Sequence, residues 1–524
     1  MKKIMNKFIS AGLLIIATSQ ACTNLDETVY DRVSSNNFPK TDEDFRAVVG
    51  NAYINLYPFM TNNNMWPTLE LPSDELIAPT RSDGGWADGG QWIALHQQTY
   101  DFTAPRIDGS WSLLFTGVSD CNLLIEIFQG LPTKTPTTDK YISELKVLRG
   151  LYYWWLLDMF GNVPIVTDFS KADPNPPNNT RAEVYAFIEK EILENVDQVS
   201  KAVDLSTYSK INYYVGQMIL AKLYLNAQVY TGTPQWTKAI TACDNIINDG
   251  KYSLSSNYFD NFLIKNEGSK ENMFVIPYDK VFAQGFWTAQ MSLNSPSLPI
   301  APWNGFSAME EFYLSYTDPA KNPGPQGAVF DANGQLTTGT LDVRTKSFFV
   351  GPQKDLVTGA PLVDAGAEST DPDGPGLNYT PHLNSITAAL RQAGARVGKW
   401  EITHDTQLNM DNDFAIFRYS DVLLMKAEAL WRQNSGSTVA LALVNQVRAR
   451  AGVSNFTTLT ADNLLAERGR ELWAEGHRRT DLIRFGKFND AWAFKAATDP
   501  HVNIFPIPRT QIQANKNLKQ NPGY

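Results

Sequence analysis

Apolar residues recur along much of the chain at the spacing of an amphipathic helix. Thr41 suits a helix N-cap, because its hydroxyl can accept a hydrogen bond from the first free backbone N–H groups. After it, Phe45, Val49 and Ala52 fall on one face of a first helix. Similar patterns predict further helices at 108–129, 138–160, 181–202, 212–230, 235–249, 413–432, 437–452 and 461–478. The chain is therefore predicted to be mostly α-helical.

Several of these helices follow one another as close pairs, with small residues set against aromatic ones. Ala221, Tyr224 and Ala227 are one example, and Trp236 with Ala239 is another. Such packing is similar to that of tetratricopeptide repeats, in which a helix pair buries its apolar face only by stacking on the next pair. We therefore predict a scaffold of tetratricopeptide-like helix pairs. The spacing of the repeats is irregular, which leaves an unrelated all-helical fold as the alternative.

The pattern changes between residues 253 and 412, where Gly, Pro, Asn and Ser are dense and helical periodicity is weak. Runs such as 322–327 and 371–376 are typical of turns and loops. Long irregular segments in a compact protein are usually functional. We therefore expect 253–412 to form long irregular loops that lie over the scaffold and carry the ligand face, and 413–490 to be helical again.

The N-terminus is typical of an export signal. Three lysines within the first seven residues precede an apolar run that is too short for a bilayer, which takes about 20 residues. Small and polar residues then lead into Cys22. This layout is typical of a bacterial lipoprotein signal over 1–21, in which Cys22 receives the lipid and 22–40 become a lipidated tether. Ordinary cleavage after Ala21, with a free thiol left at Cys22, is the alternative.

Composition excludes some functions. The formal net charge is −10, and it becomes −13 without the leader, which holds three lysines and no acidic residue. The sequence has no basic patch of the kind that phosphate backbones require, so nucleic acid is not an expected partner.

Cys121 and Cys243 lie in predicted helices far apart in sequence. Two buried free thiols are favoured, because free cysteine behaves as a small apolar residue, and a disulfide between them is the alternative. No later segment is predicted to span a membrane.

Specific motifs fill the C-terminal half. They are Arg418-Tyr419-Ser420-Asp421, Asn445-Gln446-Val447-Arg448, Glu467-Arg468-Gly469-Arg470-Glu471-Leu472, Glu475-Gly476-His477-Arg478-Arg479, Asp481-Leu482-Ile483-Arg484 and Gln520-Asn521-Pro522-Gly523-Tyr524. Other segments add Leu71-Pro72-Ser73-Asp74-Glu75, Leu148-Arg149-Gly150, Phe160-Gly161-Asn162-Val163-Pro164 and Pro302-Trp303-Asn304-Gly305. In this order and at these spacings, the motifs resemble those of the SusD/RagB family of surface glycan-binding lipoproteins.

The resemblance covers nearly the whole chain after the leader and implies a function. It implies a non-catalytic protein at the outer face of the outer membrane, which binds oligosaccharide or polysaccharide and delivers it to a SusC-like TonB-dependent transporter. It also implies an N-terminal SusD-like helical region, 41–252, and a C-terminal RagB/SusD region, 253–524, joined in one globular body. A surface glycoside hydrolase and a peptide- or protein-binding repeat scaffold are the alternatives.

The charged residues of these motifs are predicted to be structural. They mix both signs along three helical stretches and the turn that follows, and buried charges are costly unless they are paired. The predicted network consists of Arg418, Asp421, Glu428, Arg448, Glu467, Arg468, Glu471, Glu475, Arg478, Asp481 and Arg484. His477 lies among these arginines and is assigned to the same network, with no catalytic role.

A sugar ring needs an aromatic platform for its C–H face and polar side chains for its hydroxyls. Residues 81–106 supply both kinds of group. Trp86 lies between two glycine pairs and Trp92 follows the second pair, and glycines allow tight turns that push neighbouring side chains outward. Asp83 and His96 lie in the same stretch. In the family this region contributes to the glycan site, although both tryptophans could instead anchor the loop.

A second group of candidates lies in the loop-rich region. Trp287, Trp303 and Asn304 belong to segments that the family also brings to the ligand face. Asp74 lies in a predicted loop and could accept hydrogen bonds from sugar hydroxyls.

No catalytic residue, metal or cofactor is predicted. The sequence has no His-Glu-x-x-His or Gly-x-Ser-x-Gly motif, no zinc-like Cys and His spacing, and no pair of carboxylates with a defined separation. Residues 411–413 and 371–373 offer oxygen ligands for a structural calcium ion, but they lack the rest of a ligand set.

Overall fold

The structure is a computed structural model that describes residues 41–318 and 374–524 throughout. It also describes Pro39 and, between the two long ranges, residues 321–322, 329–330, 336–338, 342–364 and 366. The predicted leader, Cys22 and the tether up to residue 38 therefore lie outside the described residues. So does the calcium candidate at 371–373.

Helices form the body of the protein. Those in the described part of the chain are α1 (Asp42–Ile54), α2 (Met65–Glu70), α3 (Gln91–His96), α4 (Pro105–Gln129), α5 (Pro136–Phe160), α6 (Arg181–Leu193), α7 (Tyr213–Leu225), α8 (Ala227–Thr231), α9 (Trp236–Ile247), α10 (Thr288–Ser292), α11 (Glu310–Thr317), α12 (Tyr419–Gln433), α13 (Thr438–Arg450), α14 (Ala461–Leu472), α15 (Arg478–Arg484) and α16 (Arg509–Ala514). The prediction of a mostly α-helical protein is confirmed.

Long helices pack on one another in an order that runs through the whole chain. Helix α4 packs on α5 and α5 on α6, and further along α7 packs on α9, α9 on α12 and α12 on α13. The tetratricopeptide-like scaffold is therefore confirmed. One hydrophobic core takes side chains from Phe45 to Leu518 and includes residues on both sides of position 252. The boundary between the two predicted regions at 252 and 253 stays a prediction.

Helix α4 is a core helix. It is the one helix in the described ranges that is long and apolar enough to cross a membrane, whereas no such segment was expected after the leader. However, 56 % of its most apolar stretch is buried inside the protein. A Cβ atom at Gly117 would lie 2.4 Å from Cζ of Tyr152 in α5, so this close packing of the two helices requires glycine.

The two cysteines in the described part of the chain are unpaired. Cys121 in α4 and Cys243 in α9 are buried free thiols, as favoured from the sequence. Burial raises the pKa of both thiols, because the thiolate would lose its hydration. Both side chains therefore serve as small apolar core residues.

The strands of the described residues lie mostly in the region 253–412 that was predicted to be loops, with one strand before it and one directly after it. They are β1 (Leu76–Ile77), β2 (Asn272–Ile276), β3 (Ser307–Ala308), β4 (Val329–Phe330), β5 (Leu336–Thr338), β6 (Phe348–Phe349), β7 (Gly351–Pro352), β8 (Asn378–Tyr379), β9 (Ala395–Val397) and β10 (Phe414–Arg418). The largest sheet has the order β1-β3-β9-β6, with antiparallel pairs throughout. In its centre Ser307 of β3 lies opposite Arg396 of β9, which ties the loop-rich region together.

The helix predicted at 413–432 begins later than expected. Residues 414–418 form β10, which pairs with β2, and only then does α12 begin. All five side chains of β10 are buried, and a short, fully buried run does not distinguish a strand from a helix by its periodicity.

Two other predicted helices end early. The helix predicted at 181–202 ends at Leu193, and the one at 461–478 ends at Leu472. After Leu472 the chain turns through Ala474, with φ of 61°, and Gly476, with φ of 79°. The Gly476 N–H donates to the buried carboxylate of Glu70, which holds this turn against α2.

The predicted charge network is confirmed. All eleven of its residues are buried, at most 8 % exposed, and each is paired. Arg418 donates to Glu475 at 2.7 Å and to Glu471 at 3.0 Å, and it also reaches Glu271. His477 lies beside Asp421, with Nε2 at 4.0 Å from the carboxylate. The network therefore joins α12, α14 and α15 to the start of β2.

The pKa values of the network carboxylates follow from this pairing. Burial alone would raise the pKa of Glu471, but neighbouring arginines lower it to about 2. The same balance lowers the pKa of Asp481 to about 2. Since these folded-state values lie below the ordinary ones, the stability from both groups is present above pH 4.5 and is lost as the pH falls through 2.

We expect Arg418→Met to destabilise the fold strongly, because Glu271, Glu471 and Glu475 would keep their burial and lose a cation. The expected loss in the free energy of unfolding is about 3–5 kcal/mol, measured by urea denaturation. The matched control is Arg46→Met, which removes an exposed ion pair with Asp42 and should leave the midpoint unchanged. Equal effects of the two changes would contradict the structural role of the network.

Candidate functional site

One buried arginine fixes the loop that follows β1. Arg81 is 2 % exposed, and its guanidinium donates to the carbonyl oxygens of Asn304 at 2.8 Å, Gly305 at 2.7 Å and Ala393 at 2.8 Å. These three acceptors come from two segments that are more than 200 residues further along the chain. The loop carrying Trp86 is therefore held against the segments 303–305 and 390–393.

Three tryptophans come together at this point, and we call Trp86, Trp287 and Trp303 the tryptophan cluster. The ring of Trp303 lies 6.3 Å from that of Trp86, tilted by 57°, and 6.1 Å from that of Trp287, tilted by 90°. Trp303 is 42 % exposed, and the other two rings are partly buried. The two groups of aromatic residues predicted separately from the sequence therefore form one surface.

Local hydrogen bonds hold the rings of Trp86 and Trp287. Nε1 of Trp86 donates to the carbonyl oxygen of Trp303 at 2.7 Å, and Nε1 of Trp287 donates to Oδ1 of Asn409 at 2.7 Å. Trp287 directly precedes α10, and the N–H of Trp303 donates to the carbonyl oxygen of Gln290 in α10. Because both indole N–H groups are already bonded, the rings offer a ligand their faces and edges.

Backbone strain is concentrated beside the cluster. Trp86 has φ of 61° and Asn304 has φ of 55°, a left-handed conformation that residues other than glycine rarely adopt. Gly305 has no room for a side chain, since a Cβ there would lie 2.2 Å from Cε2 of Trp86. Strain of this kind persists only where the surroundings hold it, and it clusters at binding and catalytic sites.

Trp92 is not part of the exposed surface. Its side chain is fully buried, and Nε1 donates to Oδ2 of Asp88 at 2.6 Å. The ring packs edge-on against Trp86 at 5.2 Å, and the guanidinium of Arg106 lies 4.5 Å above it. The prediction that Trp92 stacks on a sugar is therefore wrong, and the alternative of a loop anchor is right: Trp92 supports Trp86 from behind.

His96 and Asp74 are also structural. His96 is fully buried with Nε2 3.1 Å from the carbonyl oxygen of Ala493, and burial lowers its pKa to about 4, so it is neutral. Both oxygens of Asp74 accept from Arg478, at 2.7 and 2.8 Å. The prediction of a direct ligand contact is wrong for His96, since no part of it reaches the surface. Asp74 is engaged in the charge network.

Asn304 remains a candidate for the ligand face. It is 6 % exposed, and its Oδ1 accepts from Arg396 at 2.8 Å. Its Nδ2 is buried and donates to no described residue, although a buried amide normally finds an acceptor. The group lies next to Trp303 in sequence and is available to a ligand or a water molecule.

Asp83 belongs to a charged cluster on the same loop. It is exposed and pairs with Arg391, whose guanidinium also donates to Asp364 at 2.8 and 3.0 Å. Burial lowers the pKa of Arg391 from its usual value. Sequence reasoning missed Arg391, Asp364 and Asn409, because single polar residues in irregular loops carry no periodic signal. Asp83 stays a prediction as a ligand contact.

No three His, Cys, Asp or Glu side chains converge as a metal site in the part of the chain that the structure describes. At 411–413 the side chains turn to separate partners. Asp411 pairs with Lys280 at 3.1 Å, and Asn412 donates to the carbonyl oxygen of Phe262 at 3.1 Å. Asp413 accepts from Tyr208, and burial raises its pKa to about 7. The three groups therefore do not form a joint set of oxygen ligands.

Two family models match the chain. Residues 250–524 match the model described as the SusD family, and residues 25–225 match the model described as starch-binding associating with outer membrane. The first match covers more than half of the chain. The chain belongs to the SusD family.

Relatives and solved structures agree with this assignment. The chain is 24 % identical to the starch-binding protein SusD of Bacteroides thetaiotaomicron, over 87 % of this chain and 84 % of the relative. Surface glycan-binding protein A of the same species, solved in complex with laminarihexaose, superposes with a TM-score of 0.68 at 23 % identity, over 92 % of this chain and 100 % of that one. A SusD superfamily protein from Parabacteroides distasonis superposes at 0.73 with 19 % identity, over 93 % and 100 %.

The two kinds of tryptophan should differ in their effect on stability. Trp92→Ala removes a fully buried ring and should lower the free energy of unfolding by about 3–5 kcal/mol, because a large cavity remains. Trp303→Ala removes a ring that is 42 % exposed and should cost much less. Chemical denaturation measures the free energy of unfolding of both variants. A larger decrease in Trp303→Ala than in Trp92→Ala would contradict the assignment of Trp92 as the buried support and Trp303 as the exposed ring.

Proposed function

We propose that this protein binds an uncharged oligosaccharide or polysaccharide at the cell surface through the tryptophan cluster, without catalysing a reaction. The observation that carries the proposal is the exposed ring of Trp303, flanked by Trp86 and Trp287 and held by strained backbone. Flat rings bury the C–H face of a sugar, and that apolar contact drives binding. The names of relatives that bind starch or laminarin support the same ligand class.

The arrangement of the rings favours a bent ligand. Since Trp303 is tilted by 57° to Trp86 and by 90° to Trp287, the three rings present a curved surface. Successive sugar units could each stack only if the chain turned between them. The proposed ligand is therefore a glycan whose backbone curves.

Charge favours a neutral ligand. Asp83 and Asp88 on the Trp86 loop are exposed, and Arg391 is engaged by Asp83 and Asp364. An anionic glycan would meet the exposed carboxylates of Asp83 and Asp88, which repel it. Neutral hydroxyl groups would find acceptors there instead.

The proposed role is binding without hydrolysis. Hydrolysis of a glycosidic bond requires one carboxylic acid and a second carboxylate on either side of that bond. Asp83 is engaged by Arg391, and Asp88 accepts from Trp92. Incubation of the purified protein with starch and laminarin, followed by an assay for new reducing ends, tests this part of the proposal, and release of sugar would overturn it.

Affinity should depend on the cluster. Trp86→Ala, Trp287→Ala and Trp303→Ala should each weaken binding by about tenfold or more, because a stacked ring contributes about 1–3 kcal/mol through its apolar area. Calorimetric titration with starch and with laminarin measures the loss. The matched control is Trp236→Ala, a partly buried ring on α9, and the second control is His477→Ala in the charge network. Full affinity in all three cluster variants would overturn the proposed site.

The same proposal puts the protein at the outer face of the outer membrane, and one of the matching family descriptions says that its members associate with that membrane. Lipid on Cys22 would tether it there, and a SusC-like TonB-dependent transporter would receive the glycan. The layout of the leader and family membership support these two partners.

Cys22→Ala should release the protein from membranes, because the lipid would have no thiol to join. Cell fractionation with a salt wash separates anchored from peripheral protein. Full retention of the variant in the washed membrane fraction would show that another group anchors the chain. Retention of Cys121→Ala is the matched control, since that thiol is buried in α4.

A further inference from the structure

A cavity of about 270 Å³ lies directly beside the tryptophan cluster. Asn409 forms the shared wall, because it lines the cavity and its Oδ1 also accepts from Nε1 of Trp287 at 2.7 Å and from the N–H of Gly285 at 3.0 Å. Asn409 therefore connects the cavity wall directly to Trp287 of the cluster. A ligand that covers Trp287 and continues in this direction reaches the cavity.

The cavity is lined mainly by groups that bind hydroxyls. Thr403, Asp405 and Gln407 contribute a hydroxyl, a carboxylate and an amide, and the only cation on its wall is Lys280, which pairs with Asp411. Oε1 of Gln407 and Nδ2 of Asn409 make no hydrogen bond to a described residue. The Thr403 hydroxyl donates to Oδ1 of Asp405 at 2.7 Å, and Nε2 of Gln407 donates to the carbonyl oxygen of Asp405 at 2.8 Å. The wall therefore offers a ligand the acceptor Oε1 of Gln407 and the donor Nδ2 of Asn409, and such a pair suits a neutral polyol better than an ion or an apolar group.

An exposed aromatic side chain follows Lys280 of the cavity wall. Phe282 is 89 % exposed at the tip of a turn, two residues after Lys280. The turn is rigid, because Oδ1 of Asp279 accepts from the N–H groups of Val281 and Phe282, both at 2.8 Å, and Asp411 accepts from the N–H of Lys280 at 2.7 Å. An exposed ring on a fixed backbone turn, close in sequence to a residue of the cavity wall, repeats the combination found at the tryptophan cluster.

We propose that this cavity, with Phe282 at its edge, is a second glycan subsite that takes the sugar units beyond those stacked on Trp287. The proposal rests on the proposed function, because it assigns the tryptophan cluster to the same ligand. It makes the protein selective for chain length: short oligosaccharides use the cluster alone, and longer ones gain the hydrogen bonds of Asp405 and Gln407 and the ring of Phe282.

The test compares short and long oligosaccharides. Laminari- and malto-oligosaccharides of three and of eight units are titrated calorimetrically into the parent protein, into Asp405→Ala/Gln407→Ala and into Phe282→Ala. All three side chains are exposed, so the fold should be unaffected. The matched control is Asp197→Ala/Gln198→Ala, an exposed pair of the same two residue types before α7.

The parent protein should bind the eight-unit ligand more tightly than the three-unit ligand. Both subsite variants should bind the eight-unit ligand about fivefold or more weakly and should keep the parent's affinity for three units. Asp405→Ala/Gln407→Ala loses hydrogen bonds worth about 1 kcal/mol each, and Phe282→Ala loses the apolar contact of its ring. The inference is overturned if the parent gains no affinity with length, or if the variants keep that gain. Trp303→Ala separates the two claims: unchanged affinity for both lengths in that variant overturns the proposed function itself.

Discussion

The pairing of buried arginines with buried carboxylates in the C-terminal helices is the constraint on which the rest of the structure depends. An unpaired charge at any of these positions would be costly, so α12, α14 and α15 can pack only in the arrangement that satisfies all of them. Arg478 extends the network to Asp74, two residues before β1. From β1 the constraint passes through the β1-β3-β9 sheet to Arg81, and Arg81 fixes the backbone of 304–305. The exposed tryptophans are thereby positioned by charged side chains that are buried in the core.

Because the buried charge network positions Arg81 and the backbone beside it, residues of the candidate site can hold strained backbone conformations. Trp86 and Asn304 hold left-handed backbone conformations that cost free energy locally. Arg81 offsets that cost with several hydrogen bonds to carbonyl oxygens in a buried position, where such bonds are strong. Trp92 adds a rigid support behind Trp86. The result is a surface that is formed before the ligand arrives, which lowers the entropy lost on binding.

Much of the scaffold could be predicted from the sequence, because long helices repeat their apolar positions over many turns. The charged network could also be predicted, because its motifs mix both signs along three helical stretches, as in Asp421, Arg448 and Glu467. The strand at 414–418 could not, because a fully buried run of five residues has no period. Residues that act across long sequence distances, such as Arg391 with Asp364 and Asn409 with Trp287, left no local pattern. For the tryptophans, the sequence indicated a candidate site but did not distinguish exposed rings from buried ones. Trp92 and His96 lie in the same stretch of sequence as Trp86, and both are buried.

The central claim is that the tryptophan cluster is the ligand surface of this SusD family protein. A crystal structure of the protein with a bound oligosaccharide, laminarihexaose or maltohexaose, tests it most directly. The account predicts sugar rings stacked on Trp303 and on at least one of Trp86 and Trp287, with Trp92 still buried and His96 untouched. Sugar bound instead in the cleft of about 320 Å³ lined by Tyr208 and Tyr252, with the tryptophan cluster bare, would contradict it.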